Sequence, residues 1–155
     1  MTKLHLTLIT LFMLVSAQAQ TITEKDLLGE WVLNKIELED GTLIDLELQQ
    51  VTNTYELIER FKDREERLQT ANLQLLKDLE RFRGTRLEFK SGFRYKCRVP
   101  GEKADKATYV IDYKMGKYYM ATNEHDLEQE ISIEDGLLKS RGTESDNFLY
   151  YKKVK

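Results

Sequence analysis

Apolar residues follow four different spacings along this chain, and each predicts a different kind of structure. From Leu4 to Val15 they form a nearly unbroken run, and from Leu27 to Leu48 they fall in short strand-like clusters. From about residue 54 to 83 they recur with a helical period, and from Thr85 onward they alternate with polar residues.

The alternating part is the longest. TRLEFK and FRYKCR flank Ser91-Gly92, ATYVIDY and KYYMAT flank Met115-Gly116, and LEQEISI, LLKSRG and NFLYYKK are separated by Asp135-Gly136 and TESD. Turn signals at such short intervals, between strands rich in Tyr, Phe, Ile and Val, predict an antiparallel meander. With the N-terminal hairpin described below, the expectation is a mainly β protein: an up-and-down antiparallel barrel of about eight strands. The alternation also assigns faces. Leu87, Phe89, Phe93, Tyr95 and Cys97 point one way, and Arg86, Glu88, Lys90, Arg94, Lys96 and Arg98 the other. Tyr109, Ile111, Tyr113, Ile131 and Ile133 continue the apolar set, so one face is buried and one is wet.

Phe61, Leu68, Leu75 and Phe82 repeat every seven residues, flanked by Leu57, Ile58, Ala71 and Leu79. That spacing predicts an amphipathic helical insertion over about residues 54–83. Asn53 with Glu56 resembles a capping box, and Gly84 stands where a left-handed C-terminal residue belongs. A continuous helix of that length spans roughly 45 Å, more than a small barrel is tall. It therefore overhangs or breaks, most easily between Gln69 and Asn72. Its stripe either packs on the barrel or pairs with another chain as a helix-mediated homodimer. Glu56/Arg60 and Asp63/Arg67 have the i,i+4 spacing of a solvated face.

GEWVLNKIELEDGTLIDLEL reads as a strand, an Asp40-Gly41 turn and a second short strand. Trp31 and Leu33 share one parity, Ile36 and Leu38 the other, and a bulge near Asn34 reconciles them. Before this hairpin, Lys3, the apolar run and Ala17-Gln18-Ala19 have the pattern of a secretory signal peptide over residues 1–19. The run is too short to span a bilayer, so no integral membrane segment remains after removal, and no cysteine follows to carry a lipid. Residues 20–155 then form one exported domain, periplasmic or extracellular.

Gly29-Glu30-Trp31 at the start of the first strand, followed by an antiparallel meander, resembles the lipocalin-like domain family, the small secreted bacterial calycin-type barrels. LEFKSGFRYKCR resembles a hairpin common in those domains. The resemblance covers residues 27–39 and 85–155. The helix does not match vertebrate members, which carry theirs after the last strand; small bacterial variants with an early helical insert are closer. The resemblance implies that Trp31 closes the bottom of the lumen, with an arginine from the last strands packed on it; by position the nearest is Arg141.

Composition adds mainly exclusions. The formal net charge is −3, and loss of Lys3 with the leader makes it more negative, so nothing global attracts nucleic acid. Cys97 is the only cysteine, leaving no intrachain disulfide; a bacterial address outside the cytoplasm fits that better than a eukaryotic one. His125 is the only histidine beyond the leader, so multi-histidine zinc sites are excluded. A Cys97–His125 dyad is formally available, but the inward parity of Cys97 makes it a buried hydrophobe. Glu65-Glu66 and Glu134-Asp135 fall on a helix face and in a turn, and no Gly-rich phosphate loop occurs. FRYKCRV mixes basic and aromatic residues as nucleic-acid-binding sheets do, yet the alternation puts the two on opposite faces. The expectation is no enzyme, no cofactor and no nucleic-acid partner. The candidate site is the inward face, with Trp31, Phe93, Tyr95, Tyr109, Tyr113 and Tyr118 lining a lumen for a small apolar or amphipathic ligand. The same residues suit a filled core equally well, which leaves a protein-interaction module using the helix or loops as the alternative.

Overall fold

The structure, a computed structural model, describes residues 21–123, 128–142 and 144–154. The signal-peptide expectation for residues 1–19 and the position of His125 lie outside the described residues. A single helical turn, α1 (Glu24–Leu27), precedes strand β1 (Gly29–Glu37). Then come β2 (Leu43–Asp45), β3 (Gln50–Thr52), α2 (Tyr55–Arg60), α3 (Glu65–Leu79) and a 3-10 turn (Glu80–Phe82). The meander is β4 (Arg86–Lys90), β5 (Arg94–Arg98), β6 (Asp105–Lys114), β7 (Lys117–Thr122), β8 (Glu128–Glu134), β9 (Leu137–Gly142) and β10 (Phe148–Lys153).

The expected fold class is what the chain adopts. Strands β4 to β10 pair in order, all antiparallel, and β1 joins β4 on one side to β10 on the other, closing an eight-stranded barrel. Carried once around, the pairing returns to β1 out of step with where it began, the stagger that tilts strands in a closed barrel. The 91–93, 115–116 and 135–136 turns lie at the same end as Gly29 and Lys153. Two of them hold both central residues at positive φ, Met115 (52°) with Gly116 (83°) and Asp135 (51°) with Gly136 (77°), which matches the right-handed twist of the strands they join.

Strand β1 contains the bulge its parity requires. Its register against β10 slips between Leu33 and Lys35, so Trp31, Leu33 and Ile36 are all buried despite their spacing. Asn34 is also where β1 changes partner. Gly29 to Val32 pair with β4, while Lys35 to Glu37 pair with β2. The Leu33 N–H donates to Thr85 O, and Leu46 N–H donates to Asn34 O (both 2.9 Å). The β2–β3 hairpin therefore lies outside the closed circle, on the upper half of β1. The hairpin expected at Asp40-Gly41 forms, with Gly41 N–H donating to Leu38 O and Thr42 N–H to Asp40 Oδ1.

Of the two expectations for the insertion, overhang or break, the chain breaks, but the break falls at residues 61–64 and not between Gln69 and Asn72, which lie inside α3. Between Phe61 and Leu68 the chain has no apolar residue to hold a helix against the barrel, and Lys62-Asp63-Arg64 favours a turn. Thr54, rather than Asn53, caps α2, its Oγ1 accepting from Leu57 N–H. Gly84 has the expected left-handed φ of 82°. No residue of α2 or α3 is fully buried. Leu75, Leu76, Leu79 and Phe82 pack half-buried against the core, whereas Tyr55, Ile58 and Leu73 are exposed. The C-terminal half of the stripe is the part seated on the barrel. No described helix is long and apolar enough to cross a membrane.

Candidate functional site

The barrel interior is filled by Trp31, Leu33, Leu87, Phe89, Tyr109, Met120, Ile131, Leu138 and Tyr151, all buried. Trp31 sits at the end where β1 begins, with α1 tucked beneath it. Its indole Nε1–H donates to Leu27 O at 2.7 Å, and Leu27 is itself fully buried. Glu24 Oε1 accepts from Phe93 N–H at 2.9 Å, tying α1 to the 91–93 turn. A cation does stack on the tryptophan, but it is Lys153 (Nζ 5.0 Å from the ring centroid) and not Arg141. Arg141 lies on the outer wall, over Phe148 at 4.7 Å and paired with Glu130 at 2.7 Å. The register decides this. Lys153 stands directly across from Trp31 and shares the inward parity of Tyr151, whereas Arg141 alternates with the buried Ser140.

The candidate aromatics form two groups. Tyr95, Phe89, Tyr109 and Phe93 make a chain of ring contacts at 5.4, 5.3 and 5.6 Å. Tyr113 and Tyr118 form a separate pair at 4.8 Å, directly across from each other on β6 and β7. Two positions depart from the expected burial. Phe93 lies in the turn before β5 and is 45% exposed, and Tyr113 is 55% exposed. Both stand at strand ends, where a side chain with inward parity has no layer beyond it. Cys97 points inward as expected but is half-buried.

Burial sets the electrostatics. The Tyr109 phenol is pushed up to about 12, first by burial and then by the carboxylate of Glu24. Its hydroxyl is buried and makes no hydrogen bond among the described residues. The Tyr95 and Tyr151 phenols are also raised, chiefly by burial. Burial raises the Cys97 thiol as well, outweighing the hydrogen bond from Tyr95 that favours the thiolate. A protonated thiol among neutral phenols offers hydrogen bonds within an apolar wall and is no activated nucleophile. Glu65 and Glu66 occupy the exposed first turn of α3, and Asp135 is a turn residue. Among the described residues no cluster of three or more His, Cys, Asp or Glu side chains could hold a metal ion.

Lys153 and Leu27 are the site residues that sequence reasoning missed. Leu27 precedes the motif by two residues with no strand pattern to place it. Lys153 was signalled only by its alternation with Tyr151.

No family model, curated protein or solved structure matches this chain.

Proposed function

We propose that this chain is an exported, non-catalytic barrel that binds one small apolar or amphipathic molecule against its inward aromatic face. One observation carries the reading. In a closed barrel an inward side chain meets water only through an end of the lumen. Ile111, Tyr118 and Ile133 face inward and pack on the core, yet they are only half-buried, and their neighbour Tyr113 is mostly exposed. These four residues form an apolar rim beside the Met115-Gly116 turn. Because Tyr109, Met120 and Leu138 are buried inside the barrel behind this rim, the ligand sits in a shallow cup at it, with the tyrosine hydroxyls as its polar contacts. Export is supported by Lys3, the apolar run and Ala17-Gln18-Ala19.

A panel of fatty acids, sterols and quinones, scored by melting temperature, tests the binding. A ligand of the cup raises the melting point progressively, by about 2.7 kcal/mol at a hundredfold excess over its Kd, and Ile111→Trp abolishes the shift by filling the cup. No shift with any member would overturn the reading. A second reading, an interaction module or homodimer built on the insert, is favoured by the exposure of Tyr55, Ile58 and Leu73. It requires that Ile58→Lys with Leu73→Lys lower the mass of the protein in solution.

A further inference from the structure

The outer wall opposite the aromatic chain carries an unusual charge pattern. On β4, β5 and β6 the outward residues include Arg86, Lys90, Arg94, Lys96, Arg98 and Lys106. The register sets them against one another, with Arg86 across from Arg98, Lys90 across from Arg94 and Lys96 across from Lys106. Like charges directly opposite on neighbouring strands are destabilising. Three acids face the same way, and one of them, Asp112, lies further along β6 and pairs with Lys114 at 3.2 Å. Glu88 accepts from Lys90 (3.0 Å) and Lys96 (3.5 Å), and Glu30 pairs with Arg86 at 2.6 Å. The cations outnumber them on a chain whose overall charge is −3, so the cluster does not follow from composition. Along these strands runs a groove of about 480 Å³, lined by the outward Glu88, Lys90, Arg94, Lys96 and Lys106, and also by Tyr95 and Ala107. That volume is within the range of small-molecule sites.

We infer that this groove binds a compact multivalent anion bearing phosphate or carboxylate groups, whose charge relieves the repulsion between the paired cations. The guanidinium of Arg94 supplies forked donors, and Lys96 and Lys106 supply point charges on the adjoining strands. Polar groups complete the floor. Asn123 also lines the groove, and its Oδ1 accepts from Thr108 N–H, which turns its amide nitrogen away from that bond as a donor for an anion. The charged groups of this site alternate with Tyr95 and Ala107 and so lie on the face of the sheet away from the lumen, and none of the residues of the proposed cup takes part in it.

Titration of the full chain with inorganic tripolyphosphate at low ionic strength tests the inference. The expected result is saturable binding of one anion per chain, weakening as salt is added. Lys96→Gln and Lys106→Gln should each raise the Kd about tenfold or more, while Lys139→Gln on β9 leaves it unchanged. A second reading keeps the variants interpretable. Without anion, Lys106→Gln should melt no lower than the parent, because it removes a like-charge pair, and tripolyphosphate should raise the melting point of the parent more than that of the variant. Absence of saturable binding, or binding equally tight in Lys96→Gln and Lys106→Gln, would overturn the inference.

Discussion

The ammonium of Lys153, the last residue of the last strand, lies 5.0 Å from the centre of the Trp31 ring and directly across from Trp31 in the β1–β10 register. The two ends of the barrel sequence thus meet at one indole. Lys153 also donates to Asp26 O (3.3 Å), which joins the same contact to α1 beneath the tryptophan.

Truncation of Trp31 should therefore remove packing, a buried hydrogen bond and the stacked cation together. Trp31→Ala is expected to lose roughly 3–5 kcal/mol, and Lys153→Ala about 1 kcal/mol. Urea unfolding followed by circular dichroism measures both, and a larger loss for Lys153→Ala than for Trp31→Ala would contradict the geometry.

Met115 occupies the first central position of a two-residue turn at φ 52° with its side chain 99% exposed. The side chain contributes nothing to the core, and the backbone conformation favours Asn. Met115→Asn should stabilise the protein by about 0.5 kcal/mol or more, read as a higher melting temperature.

The Tyr109 hydroxyl, buried and without a hydrogen-bond partner among the described residues, predicts a gain from its removal. At neutral pH Tyr109→Phe should be as stable as the parent or more so, by up to about 1 kcal/mol. The alkaline behaviour follows from the same group. Its pKa is raised from 10.0 to about 12 on folding, so the unfolded chain loses this proton first and stability falls as pH rises from 10 towards 12. Unfolding curves over that window should be less steep in pH for Tyr109→Phe than for the parent.

The helical insertion should be anchored at one end only. Leu79→Ala, at a residue packed half-buried on the core, is expected to lose about 1–2 kcal/mol, and Leu73→Ala, at an exposed position, less than about 0.5 kcal/mol. Equal losses at the two positions would mean that the stripe is seated along its whole length.

The chain by itself determined what depends on near neighbours. Alternation placed Leu87, Phe89, Tyr109 and Ile131 inside and the charges of β4 and β5 outside, because side chains on a strand change face at every residue. The parity conflict between Trp31–Leu33 and Ile36 required a bulge at Asn34, and the Gly-containing dipeptides marked the turns. Tertiary structure decided what depends on partners distant in sequence. Closure of β1 on β10 set Lys153, and not Arg141, over Trp31. The handover of β1 from β4 to β2 put the second hairpin outside the barrel. The insertion turned at residues 61–64 because its seat is the short stretch from Leu75 to Phe82, which a helical period cannot reveal. The same register put Lys96 beside Lys106 and left Phe93 and Tyr113 at strand ends open to water. Parity is a property of one strand. Register, closure and exposure belong to the whole sheet, where the pairing that buries the most apolar surface prevails.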